Sequence, residues 1–127
     1  MTTPINTVGN YTYMDNSTGL VYSFQIKSQI ATSDPTIFAI TATLTYQGFS
    51  ATGSVSNGYL KTDPSDPSAG YICFAGVLGA GKGTASVNGY CEDFDSNSSP
   101  LYLTIGIAQS VSGGAHDATH MTKPFTR

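Results

Sequence analysis

The chain has no tryptophan, a single glutamate and few charges of either sign: Asp, Glu, Lys and Arg together make up 10% of its 127 residues, against the quarter usual in globular proteins. Five Lys and Arg stand against eight Asp and Glu, a net charge of −3. No basic patch is available to neutralise phosphates, so nucleic acid is not an expected partner. No apolar run reaches the length of a transmembrane helix. No charged-then-apolar segment opens the chain, so a signal peptide is not expected. Catalytic motifs are equally scarce. There is no G-x-S-x-G elbow for a nucleophilic serine, and the one glutamate, Glu92, is a thin basis for paired-carboxylate glycoside hydrolysis. An enzyme is therefore not the leading expectation.

Helix formers are few, whereas Gly numbers 14, Tyr 8, and Ser and Thr are abundant. That composition suits extended strands with hydroxyl-bearing faces, and its low charge leans towards an extracellular or surface setting. Period-two alternation recurs along the chain. Ile5 to Met14 places Tyr11 and Tyr13 on one face. In Leu20 to Ile30, Leu20, Tyr22, Phe24 and Ile26 alternate with Val21, Ser23, Gln25 and Lys27. In Ile37 to Gln47, Phe38, Ile40, Ala42, Leu44 and Tyr46 oppose Thr41, Thr43 and Thr45. Phe49 to Val55 alternates again, Asn57-Gly58 has the grammar of a hairpin turn, and Tyr59-Leu60 starts a short strand. The D-P-S-D-P-S run within Lys61 to Ala69 reads as a proline-stiffened surface loop. Leu101 to Val111 carries Leu101, Leu103, Ile105 and Ile107 inward. Residues 1–127 form a single domain, with 112–127 a polar tail or short return strand. The expected fold is all-β, an antiparallel β-sandwich of seven or eight strands, with a small closed β-barrel as the alternative.

The densest glycine run, Gly70 to Glu92, admits two readings. Gly76, Gly81 and Lys82 fall in the register of the phosphate-binding loop G-x-x-x-x-G-K-[ST], with Gly83 where the hydroxyl should be. The stretch Gly79 to Thr84, G-A-G-K-G-T, resembles the loop of adenylate-kinase-type enzymes. That resemblance implies backbone N–H groups around a phosphate, with Lys82 neutralising it. Such a loop opens a helix, however, and Ala85 to Cys91 has strand and turn character. A β-hairpin is the expectation. Folded about Lys82, it sets Cys73 opposite Cys91, Val77 opposite Val87 and Phe74 opposite Tyr90. Cys73 and Cys91 are then a candidate disulfide, or two free thiols. A register slip of one residue would place them on opposite faces.

Two loops hold metal-ligand types. Asp93, Asp95 and Asn97 have the D-x-D-x-N spacing that converges oxygens on calcium. Ser98 replaces the glycine and Thr104 the final acid of an EF-hand loop, so calcium is the only cofactor to consider and an ordinary acidic turn competes with it. His116, Asp117 and His120 would share a metal only if they lay on a helix. The functional expectation is a non-catalytic, lectin-like module that binds carbohydrate, since aromatic faces pack on sugar rings while polar groups take the hydroxyls. Candidate contacts are Tyr11, Tyr13, Asn57, Tyr59, Asn88 and Tyr90. The alternatives are a β-barrel holding a lipid or other apolar small molecule, and a structural protein that forms homo-oligomers through its sheet.

Overall fold

The structure, a computed structural model, describes residues 5–15, 19–46, 49–53, 58–78, 83–95, 99–109, 116–120 and 124–127. The described chain is all-β: β1 (Gly9–Asp15), β2 (Leu20–Ala31), β3 (Ile37–Tyr46), β4 (Phe49–Gly53), β5 (Gly58–Asp63), β6 (Asp66–Leu78), β7 (Gly83–Cys91), β8 (Leu101–Gln109) and β9 (His116–His120). All pairings are antiparallel and all belong to one curled sheet, in the order β1-β2-β3-β4-β6-β7-β8-β9, with β5 between β3 and β6. The sheet has the form of a half-barrel and is open. Its inner face carries the core, including Tyr11, Phe24, Ile40, Leu60, Phe74 and Leu103. Phe24 of β2 and Phe74 of β6 meet edge to face across the curl, with ring centroids 5.4 Å apart.

The alternation read in the sequence sets which face goes in. Tyr22, Phe24 and Ile26 are buried in β2, Ile40, Ala42 and Leu44 in β3, and Leu101, Leu103 and Ile105 in β8. A bulge between Ile26 and Ser28 then inverts the phase of β2. After it, Gln29 turns to the N-terminal segment. Its side-chain N–H donates to the Ile5 carbonyl at 2.8 Å, and its Oε1 accepts from the Thr7 amide and hydroxyl.

The chain does not reverse between β4 and β5. Asn57 lies outside the described residues, but β4 and β5 both run antiparallel to β3 and to β6, so they share a direction and occupy one position in the sheet end to end. Gly58 is required for close packing instead of a turn, because a Cβ there would lie 2.9 Å from the Ile40 carbonyl oxygen. The reversal comes later, in the segment expected to be a surface loop. Asp63 pairs with Asp66 around Pro64-Ser65. The Asp63 carboxylate accepts from the Ser65 amide at 2.9 Å and from its hydroxyl at 2.8 Å. Asp66 with Ser68, and Asp34 with Thr36, repeat the same pair of bonds. In each D-P-[ST] triplet the carboxylate takes over the hydrogen bonds that bend the backbone.

The β6–β7 ribbon is a hairpin, and Thr84 to Tyr90 is strand. Its register differs from the expected one. Gly70 faces Cys91, Cys73 faces Asn88, Phe74 faces Val87 and Val77 faces Thr84. The connecting residues 79–82, Lys82 among them, lie outside the described set. The shift is three residues, an odd number, so it reverses which faces meet. Cys73 is exposed, Cys91 is buried, and both are free thiols. The disulfide expectation is thereby corrected. The cause is β7 itself: Thr84, Ser86 and Asn88 share one face, Ala85 and Val87 the other. Only an odd offset buries the apolar face of β7 beside Ile72 and Phe74 and leaves its polar side chains in water.

Candidate binding face

The outer surface of β5 to β8 is a grid set by register. One row runs Lys61, Tyr71, Tyr90, Tyr102. The next runs Tyr59, Cys73, Asn88, Thr104. Beyond these lie Ala75, Ser86, Gly106, and then Val77, Thr84, Ala108. The face therefore grades from aromatic at one end to small and hydroxyl-bearing at the other. Tyr90 and Tyr102 stack, with centroids 5.1 Å apart and planes at 18°. Tyr71 stands 69% exposed, Tyr90 43% and Tyr59 42%. Register sets Tyr71 on the strand next to the stacked Tyr90–Tyr102 pair, with neighbouring strands about 5 Å apart, so the three lie in one row.

Two open hollows mark this face. A trough of about 540 Å³ runs over the small-residue end, with Ala75, Val77, Thr84, Ser86, Gly106 and Ala108 in its lining. A second hollow of about 330 Å³ opens at the aromatic end, between Tyr71 and Tyr90, with Asp63 and Glu92 at its rim and Gly70 and Cys91 beneath. The two bonds from Ser65 hold the Asp63 carboxyl below the usual carboxylate range. Burial pushes the Cys91 thiol up to about 11, which leaves it protonated and unreactive at neutral pH.

Of the residues singled out in the sequence, the fold brings Tyr59, Asn88 and Tyr90 together on this face, whereas Asn57 lies outside the described residues. Tyr11 and Tyr13 belong to the inner side. Tyr11 is fully buried and its hydroxyl donates to the Thr7 carbonyl at 2.5 Å. Tyr13 stacks on Phe125 with centroids 5.2 Å apart. Tyr71 and Tyr102 were not anticipated. Their signal was available: each sits out of phase with its strand's apolar residues, Ile72 and Phe74 in one case, Leu101 and Leu103 in the other.

The acidic loop after β7 has its own structure. Asp93 and Asp95 adopt left-handed backbone at φ 50° and 65°, and Asp95 lies 3.7 Å from the Arg127 guanidinium. Asn97 is outside the described residues, and among those described no three His, Cys, Asp or Glu side chains gather to hold a metal. His116, Asp117 and His120 lie on strand β9, which pairs with β8, and not on a helix. Among the described residues no helix is long and apolar enough to cross a membrane. No protein-family model, curated protein or solved structure matches the chain.

Proposed function

We propose that this protein is a non-catalytic carbohydrate-binding module, and that the outer face of β5 to β8 is its binding surface. The observation that carries the reading is the cross-strand tyrosine row Tyr71, Tyr90, Tyr102 set beside amide and hydroxyl groups of Asn88, Thr104, Ser86 and Thr84. A sugar presents an apolar C–H face and an equatorial belt of hydroxyls. An exposed aromatic ring receives the first, and short polar side chains on the same sheet receive the second. The outward residues Thr84, Ser86, Asn88 and Tyr90 of β7 span roughly 20 Å at strand rise. A surface of that length and openness suits several rings of an extended chain better than one enclosed monosaccharide. The inner face lends no support to the apolar-ligand barrel, because aromatic and aliphatic side chains fill it.

The test is a glycan array followed by calorimetry on the best ligand. Tyr71→Ala and Tyr90→Ala should each weaken binding about fivefold or more, since each ring contributes about 1 kcal/mol beyond simple area. Tyr13→Ala, on the inner side, should change affinity only in step with lost stability. A blank array would sink the proposal. Sedimentation of the unliganded protein would then address self-association through the sheet.

A further inference from the structure

Resting on the carbohydrate reading, the geometry points to a more specific partner: the hollow between Tyr71 and Tyr90 takes an ammonium group, so the sugars this face favours carry a free, protonated amine. The hollow joins two groups that each attract a cation. Tyr71 and Tyr90 supply ring faces, and a cation within about 6 Å of a ring centroid is drawn by its quadrupole. Asp63 and Glu92 supply carboxylates at the rim. Tyr90 is covered on one side by Tyr102, so its other side is the one left for a ligand. Tyr71 makes no ring contact among the described residues and is the most exposed of their large hydrophobic side chains.

Charge complementarity extends beyond the hollow. Five of the chain's eight acidic residues, Asp63, Asp66, Glu92, Asp93 and Asp95, lie in or at the ends of the two connections that frame it, β5–β6 and β7–β8. Asp66 and Asp95 are close enough to act electrostatically on Cys91 in the hollow's floor. Of the nearby cations, Arg127 lies on Asp95, and Lys61 stands opposite Tyr71 in the same row, on the side away from Tyr90. Asp63 does not need a ligand to stay ionised, because Ser65 already stabilises its charge. A uronic acid or sulfated sugar would meet like charge here, and a neutral sugar would gain only the ring contact. An ammonium gains both ring and carboxylate.

The experiment compares three probes on the intact protein at pH 6 and constant ionic strength: a tetramer of β-1,4-linked glucosamine, its fully N-acetylated counterpart, and tetramethylammonium chloride against sodium chloride. Binding is read by calorimetry and by NMR shifts of the tyrosine rings. The glucosamine tetramer should bind about tenfold tighter than the acetylated one. Tetramethylammonium should shift Tyr71 and Tyr90 selectively. The double variant Asp63→Asn, Glu92→Gln keeps an acceptor for Ser65 and should abolish the preference. Equal binding of the two tetramers, or a preference that survives in the double variant, overturns the ammonium hollow and leaves the carbohydrate face standing. Tetramethylammonium shifts with neither tetramer bound support the hollow and sink the carbohydrate reading. Silence from all three probes overturns both.

Discussion

Tyr11 concentrates the energetics of one end of the core in a single side chain. Its ring is buried, its hydroxyl donates to Thr7, and the Arg127 guanidinium lies 5.9 Å from its ring centre and 5.1 Å from that of Phe94. Burial pushes the Tyr11 phenol up to about 12, with Arg127 pulling partly the other way. A phenol whose pKa is raised on folding favours the folded state while it is neutral. Its contribution is complete below pH 10 and is lost as pH rises from 10 through 12. Tyr11→Phe removes that titration. In urea unfolding, the decline in stability between pH 10 and 12 should be shallower in the variant by about 2 kcal/mol. At pH 7 the variant should lose only about 1 kcal/mol, the worth of one hydrogen bond. An unchanged alkaline slope would show that Tyr11 is not the group responsible.

At the scale of elements, the β6–β7 hairpin decides where the binding face lies. The expected offset would have set Phe74 against Tyr90 and left no tyrosine row. The observed offset aligns Tyr71, Tyr90 and Tyr102 and separates the cysteines. That separation gives a direct check on register. In native protein a thiol reagent should modify Cys73 within minutes and leave Cys91 untouched, and unfolding should release the second thiol. Modification of both at equal rates, or of neither until a reductant is added, would contradict the pairing. The D-P-[ST] turns belong to this scale too. The sequence marks the segment at Asp63 as a stiff surface loop, but the Asp63–Ser65 bonds serve a tight strand reversal between Asp63 and Asp66.

For the whole molecule, the open sheet is tied across its flanks by the last described residues. Phe125 exchanges both backbone bonds with Leu101 of β8, and Thr126 exchanges both with Thr12 of β1. Phe125 is fully buried and packs on Tyr13 and Tyr22. Phe125→Ala should destabilise the fold by about 3–5 kcal/mol, the usual loss for a buried Phe. Amide exchange should rise first at Thr12 and Leu101, whose N–H groups donate across this seam, and later at Val87 in the middle of the sheet. Uniform exchange at all three would mean that the seam opens only with global unfolding.

Strand character and most of the core were determined by the sequence alone, because period-two alternation states directly which side chains leave water. The hydroxyl and apolar faces of β7 even encode the odd offset, against the even one that a turn centred on Lys82 would impose. What only the tertiary structure decided is non-local: the merging of β4 and β5 into one position, the ties from Phe125 and Thr126 to β8 and β1, and the row of tyrosines drawn from three strands. Alternation fixes a side chain's face but not its neighbour. Neighbours follow from pairing, and pairing depends on how the buried faces of distant strands close over one another.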